Sequence, residues 1–302
     1  MATETTTPVR FTVDPREGTV ADLIGRYLED DRYTSLAAKT RLEYGKHLEL
    51  IKDVWGDLAV KSITRPAVMA YREQFRDRPH WGNAVLRTLR IIFGHAIDLG
   101  WITLNPAAKP RQFKVSPRNQ VWTHEQERRF VEKAYELNLP SMALGLAMGI
   151  YTAQRESDIV RFSWSRYDGE WIHGWQQQKT GKRLDIPVLS QLRAAIEGAP
   201  KRATVILTTE TGRGYTPNHF RHCFRKVILG CGFDGLQFRD LRRTAVVRMG
   251  EAGLDATKIA QITGHTYDHT LQILETYMPR NKAMAAQAAA VMEEYYKRLR
   301  SN

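Results

Sequence analysis

Residues 237–280 read QFRDLRRTAVVRMGEAGLDATKIAQITGHTYDHTLQILETYMPR. The stretch opens on basic residues around Arg242 and continues as an apolar helical pattern, which glycines interrupt twice, the second time at Gly264-His265. A further apolar run leads to Tyr277, which a proline follows closely. Guanidinium, imidazole and phenol groups on separate short elements suit phosphodiester chemistry, because its transition state carries extra negative charge and a nucleophile must approach in line.

This stretch resembles the C-terminal active-site box of the tyrosine recombinases, the phage-integrase family. The family box runs His-x-x-Arg, then Gly-His or Gly-Trp, then the nucleophilic tyrosine. Arg242 matches the arginine, His265 the Gly-His position and Tyr277 the nucleophile. Arg239 stands where the family usually has histidine, and arginine cannot act as a general base near neutral pH. Either three arginines surround the phosphate, or Arg239 faces away.

Other tyrosines compete with Tyr277 for the nucleophilic role. Tyr267 lies just after the Gly-His turn, whereas Tyr277 follows an apolar helical run and precedes a proline, as the family nucleophile does. Tyr295 and Tyr296 lie in an Ala-rich terminal segment and are interpreted as packing residues of a helix. We therefore expect Tyr277 to be the nucleophile.

Two further segments resemble catalytic parts of the family. In the segment AQRESD, Arg155 matches a catalytic arginine and Asp158 the acidic residue that supports it. Residues 171–178 and 183–188 are predicted to be two strands of a hairpin. The family carries its catalytic lysine in this turn, where Lys179 is the match and Lys182 the neighbouring rival.

Composition indicates a soluble globular protein with an anionic partner. The chain has 302 residues and a net charge of +12, with a pI near 9.7. A balance this basic favours nucleic acid, although a basic surface without such a partner would give the same count. Two cysteines make no disulfide framework, and no signal peptide or membrane-spanning run is visible. A cytoplasmic, nucleoid-associated protein is expected.

The chain is predicted to hold two domains after a disordered lead-in at residues 1–16. Residues 17–108 show four short helical patterns, which predict a compact helical domain that binds core DNA. Thr34 or Ser35 can cap the second helix and Thr64 the third, and Thr123 with Gln126 fits a capping box after the linker. Residues 109–118 are basic and proline-containing, which indicates an extended linker. Residues 119–302 would form the catalytic domain with its C-terminal helix. The fold class is mainly α with a small β-sheet, and the resemblance implies a two-domain clamp around DNA.

Basic side chains between the apolar positions are candidates for DNA contacts, although most such residues simply form a solvated face. In the family the linker crosses the DNA backbone, which makes its lysines and arginine candidates for phosphate contacts. The candidates are Lys39, Arg41, Lys46, Arg87 and Arg90 in the helical domain, and Lys109, Arg111 and Lys114 in the linker. A metal site at His219, His222 and Cys223 is the weaker interpretation, because zinc needs a fourth ligand.

The resemblance implies a site-specific tyrosine recombinase, the integrase of a prophage or similar mobile element. Tyr277 would attack the scissile phosphate and form a 3′-phosphotyrosine, Arg155 and Arg242 would bind the nonbridging oxygens, Lys179 would protonate the leaving oxygen and His265 would hydrogen-bond the phosphate. Its partners would be double-stranded DNA and, on synapsed sites, three further copies of the chain in a homotetramer, with accessory DNA-bending or directionality proteins as further candidates. No metal or other cofactor is implied. A DNA-binding protein without catalysis and a topoisomerase-like enzyme are the alternatives.

Overall fold

The computed structural model describes residues 18–116, 118–278 and 282–301, and within these ranges the buried apolar side chains form three clusters. The chain divides into two units, Met1–Pro117 and Arg118–Asn302. The predicted lead-in at residues 1–16 lies outside the described residues, as does the proline that follows Tyr277.

The first unit is helical, as its apolar periodicity predicts. His47 on the third helix and Thr88 on the fifth are both buried and form a hydrogen bond of 2.9 Å, which ties these two helices together. Leu23, Ile51 and Leu89 lie in the core that the helices enclose. The helices are α1 Val20–Glu29, α2 Asp31–Thr34, α3 Ala38–Trp55, α4 Arg65–Glu73 and α5 Pro79–Asp98.

Local capping chemistry explains where these helices begin. The hydroxyl of Thr64 accepts a hydrogen bond from the amide of Ala67, with a proline in the first turn, which confirms the predicted start of α4. The prediction that Thr34 or Ser35 caps the long helix α3 is wrong. Asp30 accepts from the amide of Arg32 and starts the short helix α2 instead, so α3 begins after an alanine without a side-chain cap.

Residues 109–116, which the sequence places in the linker, have no regular secondary structure. The side-chain amide of Asn83 donates to the carbonyl of Phe113 at 3.0 Å and accepts from its backbone amide at 2.8 Å. The guanidinium of Arg72 lies over the Phe113 ring, 3.7 Å from its centroid. These contacts hold this part of the chain along the first unit.

The second unit surrounds a two-stranded antiparallel sheet with helices. The predicted hairpin is confirmed, but its first strand ends earlier than predicted because Gln177 already belongs to the turn. The elements are α6 His124–Glu136, α7 Pro140–Thr152, α8 Glu156–Ile159, β1 Trp171–Gln176, β2 Arg183–Pro187, α9 Ser190–Glu197, α10 Pro217–Gly230, α11 Phe238–Glu251, α12 Ala256–Thr263, α13 Tyr267–Tyr277 and α14 Lys282–Ser301.

Helix α7 lies at the centre of the second unit, and its small residues let neighbouring helices approach closely. A Cβ atom at Gly149 would lie 2.8 Å from Leu241 and 2.8 Å from Phe238, both on α11. A Cβ at Gly145 would lie 2.7 Å from the ring of Phe220 on α10. Because α11 carries Arg242, this close packing fixes how near that helix comes to the C-terminal end of α7.

Helix α14 leaves its described apolar side chains in solvent. The prediction that Tyr295 and Tyr296 pack within the chain is wrong, because about half of each side chain is exposed, 52% and 53%. The exposed apolar residues of this helix are Val291, Met292, Tyr295, Tyr296 and Leu299.

We expect Gly149→Ala to lower the free energy of unfolding of the second unit by about 1–3 kcal/mol, the usual cost of overpacking a core. Alanine gains up to about 1 kcal/mol of helix propensity over glycine, which the clash with Leu241 and Phe238 should outweigh. The measurement is urea unfolding followed by fluorescence. Gly25→Ala on α1 is the control, since no described heavy atom lies within 4 Å of its added Cβ. Equal stabilisation by both substitutions would contradict the packing argument.

Candidate active site

The buried guanidinium of Arg242 is the centre of the candidate site. Its Nε donates to Nε2 of His265 at 2.7 Å, and its Nη1 donates to the backbone carbonyl of Ala153 at 2.6 Å. Ala153 caps α7 in the left-handed conformation with φ of 53°, which turns the chain toward Arg155. Among the described residues Nη2 of Arg242 is buried without a hydrogen-bond partner. Burial and the positive charge of Arg155 lower the pKa of Arg242 to about 9.

His265 is held as a neutral imidazole. Because its Nε2 accepts from Arg242, its proton lies on Nδ1, which is buried and has no partner in the described part of the chain. Gly264, with φ of +69°, ends α12 just before it and allows the sharp change of direction. Burial and the charge of Arg242 lower the pKa of His265 from 6.5 to about 2.

Arg155 and Asp158 complete the charged cluster at the start of α8. Nη1 of Arg155 lies 3.9 Å from Oδ2 of Asp158, a carboxylate with 0% of its surface exposed. The other oxygen of Asp158 accepts from the backbone amide of Gln178 at 2.8 Å. Two guanidinium groups therefore face one carboxylate, and the cluster carries spare positive charge and unused donors. Such a group of donors can bind an anion and stabilise charge that develops on it.

The two lysines of the hairpin turn are in different situations. Nζ of Lys182 donates to the backbone carbonyl of His265 at 3.1 Å. Lys179 is exposed, and within the part of the chain that the structure describes its amine has no hydrogen bond or ion pair. Lys179 is thus free to contact a ligand, whereas its rival supports the loop that carries His265.

The structure does not bring Tyr277 to the charged cluster. Its hydroxyl donates to Oδ1 of Asn119 at 3.1 Å, and its ring lies 5.4 Å from the guanidinium carbon of Arg243. Among residues 18–116, 118–278 and 282–301 no hydrogen bond joins Tyr277 to Arg155, Arg242 or His265. Tyr277 ends α13, so its approach to the cluster would require movement at the end of that helix.

Arg239 also lies apart from the cluster. It is exposed on the first turn of α11 and makes no hydrogen bond or ion pair to the residues described, whereas Arg242, three residues on, is 8% exposed. The capping box at this end of the helix uses Asp240, whose Oδ2 accepts from the backbone amide of Gln237 at 2.8 Å. Arg239 therefore presents its charge to solvent.

Sequence reasoning missed the polar residues that support the cluster. Gln154 and Gln177 are both fully buried, and Asn119 receives the hydroxyl of Tyr277. Gln154 directly precedes Arg155 and Gln177 lies two residues before Lys179, but nothing in the sequence distinguishes a buried glutamine from the common exposed one. Only tertiary contacts reveal these roles.

The basic candidates of the first unit are mostly exposed. Lys46 and Arg87 directly precede His47 and Thr88 in the sequence. Burial lowers the pKa of His47, and the carboxylate of Glu43 raises it. The charges of Arg87 and Lys46 lower it further. Arg41 is the exception in exposure, since it is half-buried and donates to the carbonyl of Thr34 at 3.1 Å. The exposed candidates are Lys39, Lys46, Arg87, Arg90, Lys109, Arg111 and Lys114.

The described ranges lack two other kinds of feature. These residues contain no cluster of histidine, cysteine or acidic side chains arranged to hold a metal ion. None of the described helices is sufficiently long and apolar to cross a membrane.

We expect the imidazole of His265 to stay neutral between about pH 5 and pH 8 in the free protein, because its pKa is lowered to about 2. The unfolded chain binds this proton below about pH 6.5, and the folded chain does not. His265 therefore lowers the free energy of unfolding as pH falls from about 6.5 toward 2, and has no such effect above that range. An NMR titration of the imidazole, assigned with His265→Gln, tests this. A folded-state midpoint near 6.5 would contradict it, and the urea-unfolded protein is the control.

The chain is similar in sequence to known phage integrases. The sequence model described as the phage integrase family matches residues 120–284. The chain is 27% identical over 165 residues to the integrase of Enterobacteria phage 434, a match over 52% of this chain and 46% of the relative. It is also 27% identical over 176 residues to the integrase of Escherichia phage HK022, over 56% of this chain and 49% of the relative. The chain thus spans about half the length of these curated relatives.

Solved structures share the fold. The lambda integrase dimer bound to a COC′ core site superposes with a TM-score of 0.77 at 19% identity, over 87% of this chain and 79% of the other. The Tn1549 transposon integrase in complex with circular intermediate DNA gives a TM-score of 0.73 at 15% identity, over 90% of this chain and 99% of the other. The arginine–histidine cluster lies inside the segment matched by the family model, which covers more than half of the chain, and the protein belongs to the phage integrase family.

Proposed function

We propose that the protein is a site-specific tyrosine recombinase, the integrase of a prophage or similar mobile element, that cleaves and rejoins duplex DNA through a 3′-phosphotyrosine intermediate. The observation that carries the proposal is the buried Nη2 of Arg242, a charged donor without a described partner beside a second guanidinium. A buried cation with an unused donor is costly unless a ligand uses it. A phosphodiester supplies both the negative charge and the acceptor oxygens.

The fixed cluster would hold the scissile phosphate. Arg242 and Arg155 bind the nonbridging oxygens and stabilise the charge that accumulates in the transition state. His265 donates from Nδ1, the ring nitrogen that carries its proton. Because His265 stays neutral, it adds a hydrogen bond without adding repulsion between itself and Arg242.

Tyr277 and Lys179, which no hydrogen bond among the described residues joins to the fixed cluster, would carry out the bond-making and bond-breaking steps. The phenol oxygen of Tyr277 forms a bond to phosphorus while the bond from phosphorus to the 5′ oxygen breaks. The phenol gives its proton to solvent, and Lys179 gives one to the leaving 5′ oxygen and regains it from solvent. Attack by a 5′ hydroxyl reverses these steps and rejoins the strand, so no external energy source is needed.

DNA binding would release Tyr277 from Asn119. The hydrogen bond of 3.1 Å to Asn119 occupies the hydroxyl in the free protein. Arg239, exposed three residues before Arg242, would contact the phosphate backbone from outside the buried cluster. Because Arg239 replaces the usual histidine and is exposed, His265 is the one imidazole that we assign to the phosphate.

The basic residues of the first unit and of residues 109–116 would contact the DNA backbone. Neutralised phosphates release counterions, which makes such binding depend strongly on salt. The net charge of +12 supports this assignment, and both solved relatives described above were crystallised or determined with DNA. The proposal places the protein on chromosomal DNA in the cytoplasm.

Assembly into four protomers on synapsed sites is part of the proposal. A lambda integrase tetramer bound to a Holliday junction has the same fold, with a TM-score of 0.77 at 19% identity. The exposed apolar side chains of α14, among them Val291 and Leu299, provide surface that another copy of the chain would cover.

We expect Tyr277→Phe to abolish formation of the covalent protein–DNA adduct and to leave DNA affinity nearly unchanged, because only the nucleophilic oxygen is removed. The substrate is a nicked duplex that carries the junction sequence flanking the gene, and the adduct is detected by gel electrophoresis. Tyr267→Phe is the matched control and should form the adduct normally, since Tyr267 is an exposed tyrosine at the start of α13. An adduct in the Tyr277 variant would assign the nucleophile to another residue.

We expect Lys46→Ala and Arg87→Ala each to lower the slope of log binding constant against log salt by about 0.9, the value for one lost phosphate contact on duplex DNA. Their charges lie together beside His47. Lys52→Ala is the control, since Lys52 is an exposed lysine of the same helix α3 at a position about 240° around the axis from Lys46. Equal slopes in all three variants would remove this surface from the DNA interface.

A further inference from the structure

Gln177 is a fully buried amide with all of its hydrogen-bonding groups in use. Its Nε2 donates to Oε1 of Gln154 at 2.6 Å and to the carbonyl of Thr263 at 3.0 Å. Its Oε1 accepts from the hydroxyl of Thr180 at 2.8 Å and faces Nη1 of Arg155 at 3.5 Å. One side chain therefore contacts three segments of the second unit that are distant in sequence.

Gln154 completes the arrangement from the other side. It is also 0% exposed, and its Nε2 donates to the carbonyl of Thr152 at 2.9 Å. The same nitrogen lies 3.3 Å from the carbonyl of Ile262 and 3.4 Å from that of Thr263. Its Oε1 is the acceptor for Gln177, so the two carboxamides form a directional pair.

Only a carboxamide meets both demands at these two positions. Each side chain must donate to backbone carbonyls and also accept a hydrogen bond, and a glutamine carries both kinds of group. A carboxylate could not donate to the carbonyl of Thr263, and an apolar side chain would leave that carbonyl without its donor. The pair is therefore specified by hydrogen bonding rather than by volume.

The pair adjoins three segments that carry residues of the candidate site. Gln154 directly precedes Arg155, and the backbone of Gln177 closes the turn that carries Lys179 through hydrogen bonds with Gly181 at 2.9 Å and Lys182 at 2.8 Å. A Cβ at Gly264 would lie 2.6 Å from Nε2 of Gln177, so the pair also packs directly against the turn before His265.

We propose that Gln154 and Gln177 form a positioning pair that sets the placement of Arg155, the Lys179 turn and the Gly264-His265 turn relative to one another. The inference rests on the proposed recombinase function for its catalytic consequence. A displacement of about 1 Å in a catalytic group can cost on the order of 100-fold in rate, which is the size of effect expected when the pair is broken. The affected step is strand cleavage and not DNA binding, because neither glutamine reaches the surface.

Cleavage of two matched substrates tests the catalytic part. One is the nicked duplex with its ordinary 5′ oxygen, and the other has sulfur at that bridging position, so that a thiolate leaves without needing a proton. Gln177→Met should cleave the oxygen substrate on the order of 100-fold more slowly than wild type. Its deficit on the sulfur substrate should be at least ten times smaller, as for Lys179→Ala, whereas Arg242→Ala should be equally slow on both. DNA affinity should match that of Gln191→Met, a control at an exposed glutamine of α9, whereas the melting temperature should be lower, because the buried carbonyl of Thr263 loses a donor.

Equal deficits on both substrates, or cleavage at the wild-type rate, would overturn the positioning role for Lys179. A loss of DNA affinity in proportion to the loss of rate would also overturn it, since that pattern belongs to a general structural defect. If the wild-type protein forms no adduct with either substrate, the proposed function fails instead.

Amide hydrogen exchange tests the coupling without any DNA. Gln154→Met makes no direct change in the hairpin turn, yet the pair predicts faster exchange of the Gly181 amide in that turn. It also predicts faster exchange of the His265 amide, which donates to the hydroxyl of Thr263 at 3.3 Å. Exchange in α6 and α9 should not change. Faster exchange confined to residues 152–155 would overturn the pair as a link between segments, whatever the outcome of the cleavage assays.

Discussion

The burial of one guanidinium constrains the rest of the candidate site. Arg242 is 8% exposed and its pKa is lowered to about 9, so it still carries its charge at neutral pH. A charge in that position needs acceptors, and it finds them in the carbonyl of Ala153 and in Nε2 of His265. Ala153 must adopt φ of 53° to present its carbonyl, and His265 must be neutral to accept. One buried cation thus determines a backbone conformation and a tautomer.

Much of this arrangement can be predicted from local sequence signals. The wrong or missing predictions concern features that depend on competing caps or on tertiary contacts. The grouping of Arg155, Arg242 and His265 agrees with what the family motifs implied, and the capping box at Thr123 formed because both of its partners are neighbours in sequence. The start of α3 was missed because Asp30 offers a competing cap that begins another helix first. Burial of Gln154 and Gln177 could not be foreseen, because the pair joins residues that only the tertiary fold brings together.

The site separates fixed groups from exposed ones. Hydrogen bonds to the backbone or to one another hold Arg242, His265 and Asp158. Folding therefore already fixes the positions of these side chains. Lys179 is unconstrained in solvent, and Tyr277 is engaged elsewhere. Electrostatic stabilisation works best when its dipoles and charges need no reorganisation, whereas a nucleophile that cleaves DNA is safest when it is not yet in place.

That separation also explains why the fold retains an unsatisfied donor. A buried polar group without a partner costs about 1–3 kcal/mol, and Nη2 of Arg242 and Nδ1 of His265 are both in that condition among the described residues. Acceptors from the protein itself would remove this cost, but they would also occupy the position that an anion takes in the proposed function. Under the proposed function a phosphodiester would supply the acceptors that these two donors lack among the described residues. Under the proposed function the cost of these unpaired donors would favour binding of the anion, and the neighbouring glutamine pair, whose carboxamides bond to each other and to the backbone, would keep the cluster in place.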